Sequence, residues 1–204
     1  MASAFSMLLA GLGNPGPKYE DTRHNFGFML VDGLVGMLSQ RASAGLAPVS
    51  AAKNKGDMWQ AKPVAGKPAW LLLKPMTYMN LSGEAVAPVL RFYKMQPDQL
   101  LVAHDELDLP LGRMKLKFGG GSAGHNGLKS IAECLGTNEF HRLRLGVGRP
   151  AVGDAAGYVL SVFSEPEKRI VSEVLDSATK AIGTFARFGP QRAIEQVNSF
   201  RTAE

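Results

Sequence analysis

The chain has 204 residues, 45% of them hydrophobic, which is enough to bury a sizeable core in one domain or a domain with a small appendage. No apolar run approaches the roughly 20 residues of a membrane helix, and residues 1–6 have neither the basic start nor the apolar stretch of a secretory signal. The one cysteine, Cys134, excludes internal disulfides and fits a reducing cytoplasm, while a net charge of +5 leans toward a polyanionic partner.

Residues 1–6 are expected to be a short disordered extension ahead of a single domain spanning 7–204. Met7-Leu8-Leu9-Ala10 reads as a short buried strand. A turn rich in glycine, proline and asparagine follows. The helical pattern after it carries Leu30, Val31, Leu34, Val35 and Leu38 on one stripe. Asn14 then sits at a strand end and His24 at a helix start, on the edge where open α/β sheets place their ligands. Gly11-Leu12-Gly13-Asn14-Pro15-Gly16 also fits the dinucleotide fingerprint G-x-G-x-x-G. That fingerprint needs its third glycine to open a helix, yet Pro17 disfavours helical geometry at Gly16. Asp32 lies at the ribose-binding distance but inside the helical stripe, so a nucleotide-dependent oxidoreductase is disfavoured.

Residues 42–56 read as a mobile polar loop. Met58–Ala61 and Ala69–Leu73 look like strands joined by a turn containing Gly66-Lys67-Pro68. A loop over 74–83 follows, in which Asn80 or Ser82 can cap a helix running to about Met95, kinked at Pro88. Leu100–His104 is a buried strand that ends in Asp105-Glu106-Leu107-Asp108. Arg113–Phe118 alternates cationic and apolar residues and predicts a half-exposed strand with a basic face. After the glycines at 119–124, His125-Asn126-Gly127-Leu128 opens a helix to about Leu135, and His141–Gly148 alternates again through Arg142 and Arg144. Ser164-Glu165-Pro166-Glu167 is a capping box before a long helix; Gly189-Pro190 ends it, and a last short helix holds Ile194, Val197 and Phe200. Strands interleaved with helices predict an α/β domain with a twisted, mostly parallel mixed sheet flanked by helices.

No H-E-x-x-H, C-x-x-C or G-x-S-x-G is present, which removes the common metal and serine-nucleophile signatures. His104-Asp105-Glu106 with Asp108 reads either as an acidic ion site or as solvated strand-end carboxylates. A histidine steadied by an aspartate is a general base, typically contributing about 10²–10⁴-fold, adequate for an activated ester. Neutral amides can bind carbonyls and N–H groups without charging the histidine's surroundings. Taken singly, His24 also reads as a helix-start residue, Asn14 as a turn former, and Asn80 and Asn126 as caps. Lys115, Lys117, Arg113 and Arg144 form a ladder suited to phosphates.

Four ordered segments carry a resemblance. They are Gly11-Leu12-Gly13-Asn14-Pro15-Gly16 with Thr22-Arg23-His24-Asn25-Phe26-Gly27, Lys74-Pro75-Met76-Thr77-Tyr78-Met79-Asn80, His104-Asp105-Glu106-Leu107-Asp108, and Gly124-His125-Asn126-Gly127-Leu128; Phe140 to Pro150 continues the match. From about Met7 onward the chain resembles the bacterial-type peptidyl-tRNA hydrolases. The resemblance implies cleavage of the ester between peptide and tRNA, with no cofactor and no metal. It implies His24 as the base that activates water, Asp105 as its orienter, Asn14 and Asn80 as holders of the peptidyl end, and Asn126 as the group positioning water or the developing oxyanion. Met79 would line the site, Tyr19 would lie beside the groove, and Lys115, Lys117 and Arg144 would grip tRNA phosphates. Ser122-Ala123 departs from the family, which more often has His or Gly there. A catalytically idle RNA-binding relative is the alternative. The expected state is a cytoplasmic monomer, with no membrane partner and with 149–164 as a lid over the site.

Overall fold

Met7–Gly11 form β1, buried at every residue, because both faces of this strand are covered by helices. In the computed structural model, which describes residues 4–50, 55–150 and 154–202, β1 is the centre of a seven-stranded sheet. Helix α1 (Phe26–Ser39) follows, then strands β2 (Ala47–Pro48), β3 (Gly56–Ala61) and β4 (Trp70–Pro75). Next come α2 (Ser82–Phe92), β5 (Leu100–Glu106), β6 (Met114–Phe118), α3 (Asn126–Leu135) and β7 (His141–Gly146). The chain ends in α4 (Ala155–Val159), α5 (Glu165–Phe188) and α6 (Pro190–Ser199). The strand order is β2-β3-β4-β1-β5-β7-β6. The four central strands pair in parallel, and antiparallel pairs sit at the two margins. This is the α/β fold expected of the sequence.

Alternate residues of β1 face opposite layers. Leu9 packs with Phe26, Leu30 and Leu34 of α1 and Val174 and Ala178 of α5. Leu8 and Ala10 pack with Val86 and Val89 of α2 and Leu128 and Ile131 of α3. From β1 the chain goes first to β4 on one side and then returns to β5 on the other. That reversal opens a crevice at the carboxyl ends of β1 and β5, where such sheets bind ligands.

The glycines after β1 close the first helix onto the sheet. A Cβ on Gly11 would meet the Gly27 carbonyl oxygen at 2.2 Å, and one on Gly27 would meet the Ala103 oxygen at 2.4 Å. Gly16 holds a left-handed φ of 107° with open space around it. The Gly-x-Gly pattern therefore serves a close helix–strand approach and a turn.

Several expectations need correction. The 42–56 loop contains a short 3-10 turn at Ala42–Ala44 and the edge strand β2; residues 51–54 lie outside the described residues. Ser6 donates its N–H to Ala69, and Phe5 stacks edge-on against Tyr93 at 5.1 Å, so the chain is anchored before Met7; residues 1–3 lie outside the described residues. Helix α2 stops at Phe92 instead of Met95 and runs through Pro88. Neither Asn80 nor Ser82 caps it: Leu81 is the N-cap, Asn80 lies in a 3-10 turn, and the Ser82 hydroxyl donates to the Met79 carbonyl.

Candidate active site

The crevice holds a cavity of about 800 Å³. Asn14, His24, Met79, Asn80, Asp105 and Asn126 all line it, brought together from the turn after β1, the 3-10 turns before α1 and α2, the end of β5 and the start of α3. Ser122 and Ala123 lie on its rim, and Ala155, Ala156, Val159 and Leu160 of the α4 region form another wall. Residues 151–153 of the expected lid are outside the described residues.

Asp105 is the deepest polar group here. Its side chain is 2% exposed, and Oδ1 accepts from His24 Nδ1 at 2.9 Å and from His125 Nε2 at 3.0 Å. Burial alone would raise this carboxyl, but the two histidines outweigh it and hold Asp105 well below the usual carboxylate range. With Nδ1 of His24 committed to Asp105, Nε2 is the ring nitrogen left for chemistry.

His125 was read from sequence only as part of a helix start. It is in fact the N-cap of α3, where Nδ1 accepts from the N–H groups of Gly127 at 3.1 Å and Leu128 at 3.4 Å. Asn126, expected as a cap, is the first residue of the helix instead. Because a nitrogen that accepts N–H bonds carries no proton, His125 is the Nε2–H tautomer and donates to Asp105.

His24, Asp105 and His125 offer ligand atoms within 4.8 Å of one another, close enough for a small metal ion. The tautomer does not fit one. A metal on Nε2 of a neutral His125 would move the proton to Nδ1, directed at two helix N–H groups that would then lose their acceptor. These donors suit proton transfer better than ligation.

Asn14 is 7% exposed and tightly held. Its main chain exchanges two bonds with the Asn25 side chain, at 2.7 and 3.0 Å, and its Oδ1 accepts from the Met79 N–H at 2.8 Å. The Nδ2 donor of Asn14 remains for a ligand. Asn25 stands beside His24 in the same motif and had no role assigned from sequence. Only its position in that motif signalled it.

His104 sits below, fully buried, with its ring 4.9 Å from that of His125. Its Nδ1 donates to the Asp105 carbonyl at 2.7 Å. Burial pushes its pKa down to about 3. Asp105 is buried and engaged by His24 and His125, and Glu106 is buried and paired with Arg144, so neither the ion-site nor the solvated-carboxylate reading of His104-Asp105-Glu106 is supported.

Tyr19 is not among the lining residues, and its ring lies under the Lys18 ammonium at 4.7 Å. Tyr78, 57% exposed, is the tyrosine at the cavity wall. On the basic ladder, Lys115 faces solvent opposite Arg144. Arg144 is engaged with Glu106 at 2.8 Å. Arg142 is buried, with its guanidinium donating to the carbonyls of Gly120 and Gly121. Partial burial and the charges of Arg144 and Arg142 push the Lys117 ammonium below its ordinary range, surroundings that an anion would relieve.

Residues 8–204 match the family of peptidyl-tRNA hydrolases. The chain belongs to that family. It is 52% identical over 197 residues to a peptidyl-tRNA hydrolase of Nitratidesulfovibrio vulgaris (strain DP4), covering 96% of this chain and 98% of the other. It is 50% identical over 192 residues to one from Oleidesulfovibrio alaskensis, covering 94% and 96%. The crystal structure of peptidyl-tRNA hydrolase from Acinetobacter baumannii aligns with a TM-score of 0.87 at 36% identity, covering 100% of this chain and 99% of the other. The family's fold is therefore this fold.

Proposed function

We propose that the protein hydrolyses the ester joining a peptide to the terminal ribose of tRNA, with His24 as general base. The observation that carries this reading is the 2.9 Å bond from His24 Nδ1 to Asp105 at the cavity. It leaves Nε2 free to take a proton from water while the carboxylate stabilises the imidazolium that forms. The water oxygen bonds to the ester carbonyl carbon, the bond from that carbon to the ribose oxygen breaks, and the proton on Nε2 passes to the ribose oxygen.

Asn14 Nδ2 and Asn80 hold the peptidyl end through its backbone, and Asn126 orients the water or the developing oxyanion. Met79 packs beneath them and fixes Asn14 through its N–H. Neutral amides read a peptide of any sequence without competing for His24. Lys115 and Lys117 contact tRNA phosphates, and Arg144 joins them only if Glu106 releases it. Tyr19 contributes from outside the cavity. The α4 region closes over the substrate, and the protein works as a cytoplasmic monomer.

Turnover of a labelled peptidyl-tRNA by wild type and His24→Ala tests this. Turnover is lost in the variant while tRNA affinity is kept, because the phosphate contacts lie elsewhere. Hydrolysis by His24→Ala at the wild-type rate would remove the base assignment. Wild-type tRNA binding with no hydrolysis would favour the idle RNA-binding relative.

A further inference from the structure

Arg23, next to His24, is a cation with almost no access to water, its side chain only 8% exposed. Such burial is costly unless partners compensate it, so the choice of partners is informative. Nη2 donates to Glu167 Oε2 at 3.0 Å, and Nε donates to Ser161 Oγ at 3.2 Å. The guanidinium lies over the rings of Tyr158 and Phe163, 4.6 and 4.8 Å from their centroids. The Arg23 main-chain N–H donates to the Ser161 carbonyl at 3.0 Å, and Thr22 forms an antiparallel bridge with Val162.

Every one of these partners lies between 158 and 167, the end of α4 and the start of α5. The same stretch supplies a cavity wall through Val159 and Leu160. It is pinned at both ends. Tyr158 donates its hydroxyl to the Val147 carbonyl at 2.7 Å. Glu167 completes the α5 capping box by accepting from the N–H and hydroxyl of Ser164, each at 2.8 Å. An ion pair kept only for packing would have no reason to join the turn bearing His24 to a wall of its cavity.

We propose that Arg23 is a positioning residue that sets the α4 wall and the His24 turn as one unit, so that seating the wall also seats the base. This rests on His24 being the base, as proposed above. A lysine keeps the charge but lacks the planar fork needed for two partners and a stacked ring.

The test compares wild type with Arg23→Lys. Three readouts are used: single-turnover hydrolysis per folded molecule, binding of deacylated tRNA, and amide exchange over 155–163 together with the downfield proton signal of His24 Nδ1–H. Arg23→Lys hydrolyses at least tenfold more slowly with tRNA binding unchanged, exchanges faster over 155–163, and broadens the His24 signal. Tyr158→Leu, which loosens the wall from its own side, moves all readouts in the same direction and carries the test if Arg23→Lys does not fold. The double variant is no worse than Arg23→Lys alone, as expected of one coupled unit. A folded Arg23→Lys protein with wild-type rate, or one whose loss is matched by lost tRNA binding, overturns the proposal. If wild type itself fails to hydrolyse peptidyl-tRNA, the functional reading falls, and exchange with the His24 signal still decides whether Arg23 couples wall and turn.

Discussion

His125 reaches the same oxygen of Asp105 that His24 uses, at 3.0 Å against 2.9 Å. The two rings arrive differently. His24 is carried on a turn before α1, whereas His125 is locked by the first N–H groups of α3. A helix N-terminus thus decides which nitrogen of His125 bears the proton, and that proton helps keep a carboxylate charged in a site that burial would otherwise neutralise.

Replacing His125 separates its two jobs. In His125→Asn the shorter side chain still caps α3 but no longer reaches Asp105, so stability changes little. A hydrogen bond to a charged group is worth about 1.5–3 kcal/mol, so single-turnover hydrolysis should fall by roughly 10- to 100-fold. His125→Ala loses the cap as well and costs about 1 kcal/mol more in urea denaturation. Equal rates for His125→Asn and wild type would remove His125 from the site.

His104 makes the fold acid-sensitive. Its folded pKa is about 3 against an ordinary 6.5, so on acidification the unfolded chain gains a proton that the folded chain refuses. This contribution is complete above the unfolded value and declines as pH falls from there toward the folded value, at up to about 1.4 kcal/mol per pH unit. His104→Gln, uncharged throughout, should show a correspondingly shallower loss of urea stability over that window. Parallel curves for the two proteins would refute the assignment.

The layered fold was legible because hydrophobic period and turn chemistry report burial directly: β1, β5, α3 and the capped α5 all stand where their patterns put them. The environment of Arg142 was not legible. Strand alternation set it opposite the apolar residues of its strand, but the glycine loop at 120–121 folds over that position and supplies carbonyls to its guanidinium. His125 was hidden for a related reason: a cap is a local signal, and its second bond crosses to Asp105, 20 residues away in sequence. Asp105 stood out at a strand end, but nothing local shows that two rings converge on it.

Gly27 and Gly33 lie in the same helix and should respond in opposite ways to alanine. At Gly27 the new Cβ meets the Ala103 oxygen and the Leu12 nitrogen, both at 2.4 Å and both backbone. The helix must lift from the sheet, at a cost of at least about 1–3 kcal/mol, and hydrolysis falls further than the folded fraction because His24 precedes that helix. Gly33 is exposed with open space beside it, so alanine there gains up to about 1 kcal/mol of helix propensity. Thermal melts of the two variants give the comparison, and matching shifts would contradict the close-approach account.

The cationic flank is uneven, and that unevenness is measurable. Lys115 and Lys117 project from β6, the edge strand of the sheet, while Arg144 on neighbouring β7 is engaged with Glu106. Edge lysines also discourage strand-to-strand aggregation, so their presence alone does not define an RNA surface. Salt dependence discriminates, because each phosphate contact made releases counterions and steepens log K against log salt by about 0.7–0.9. Replacing both lysines by glutamine should flatten the slope by one to two contacts and weaken all tRNAs alike, with the single-turnover rate at saturating substrate retained. Arg144→Gln should flatten it less, since its guanidinium is already paired, and Glu106→Gln should steepen it by freeing that charge. If the double lysine variant keeps the wild-type slope, the tRNA lies on another face.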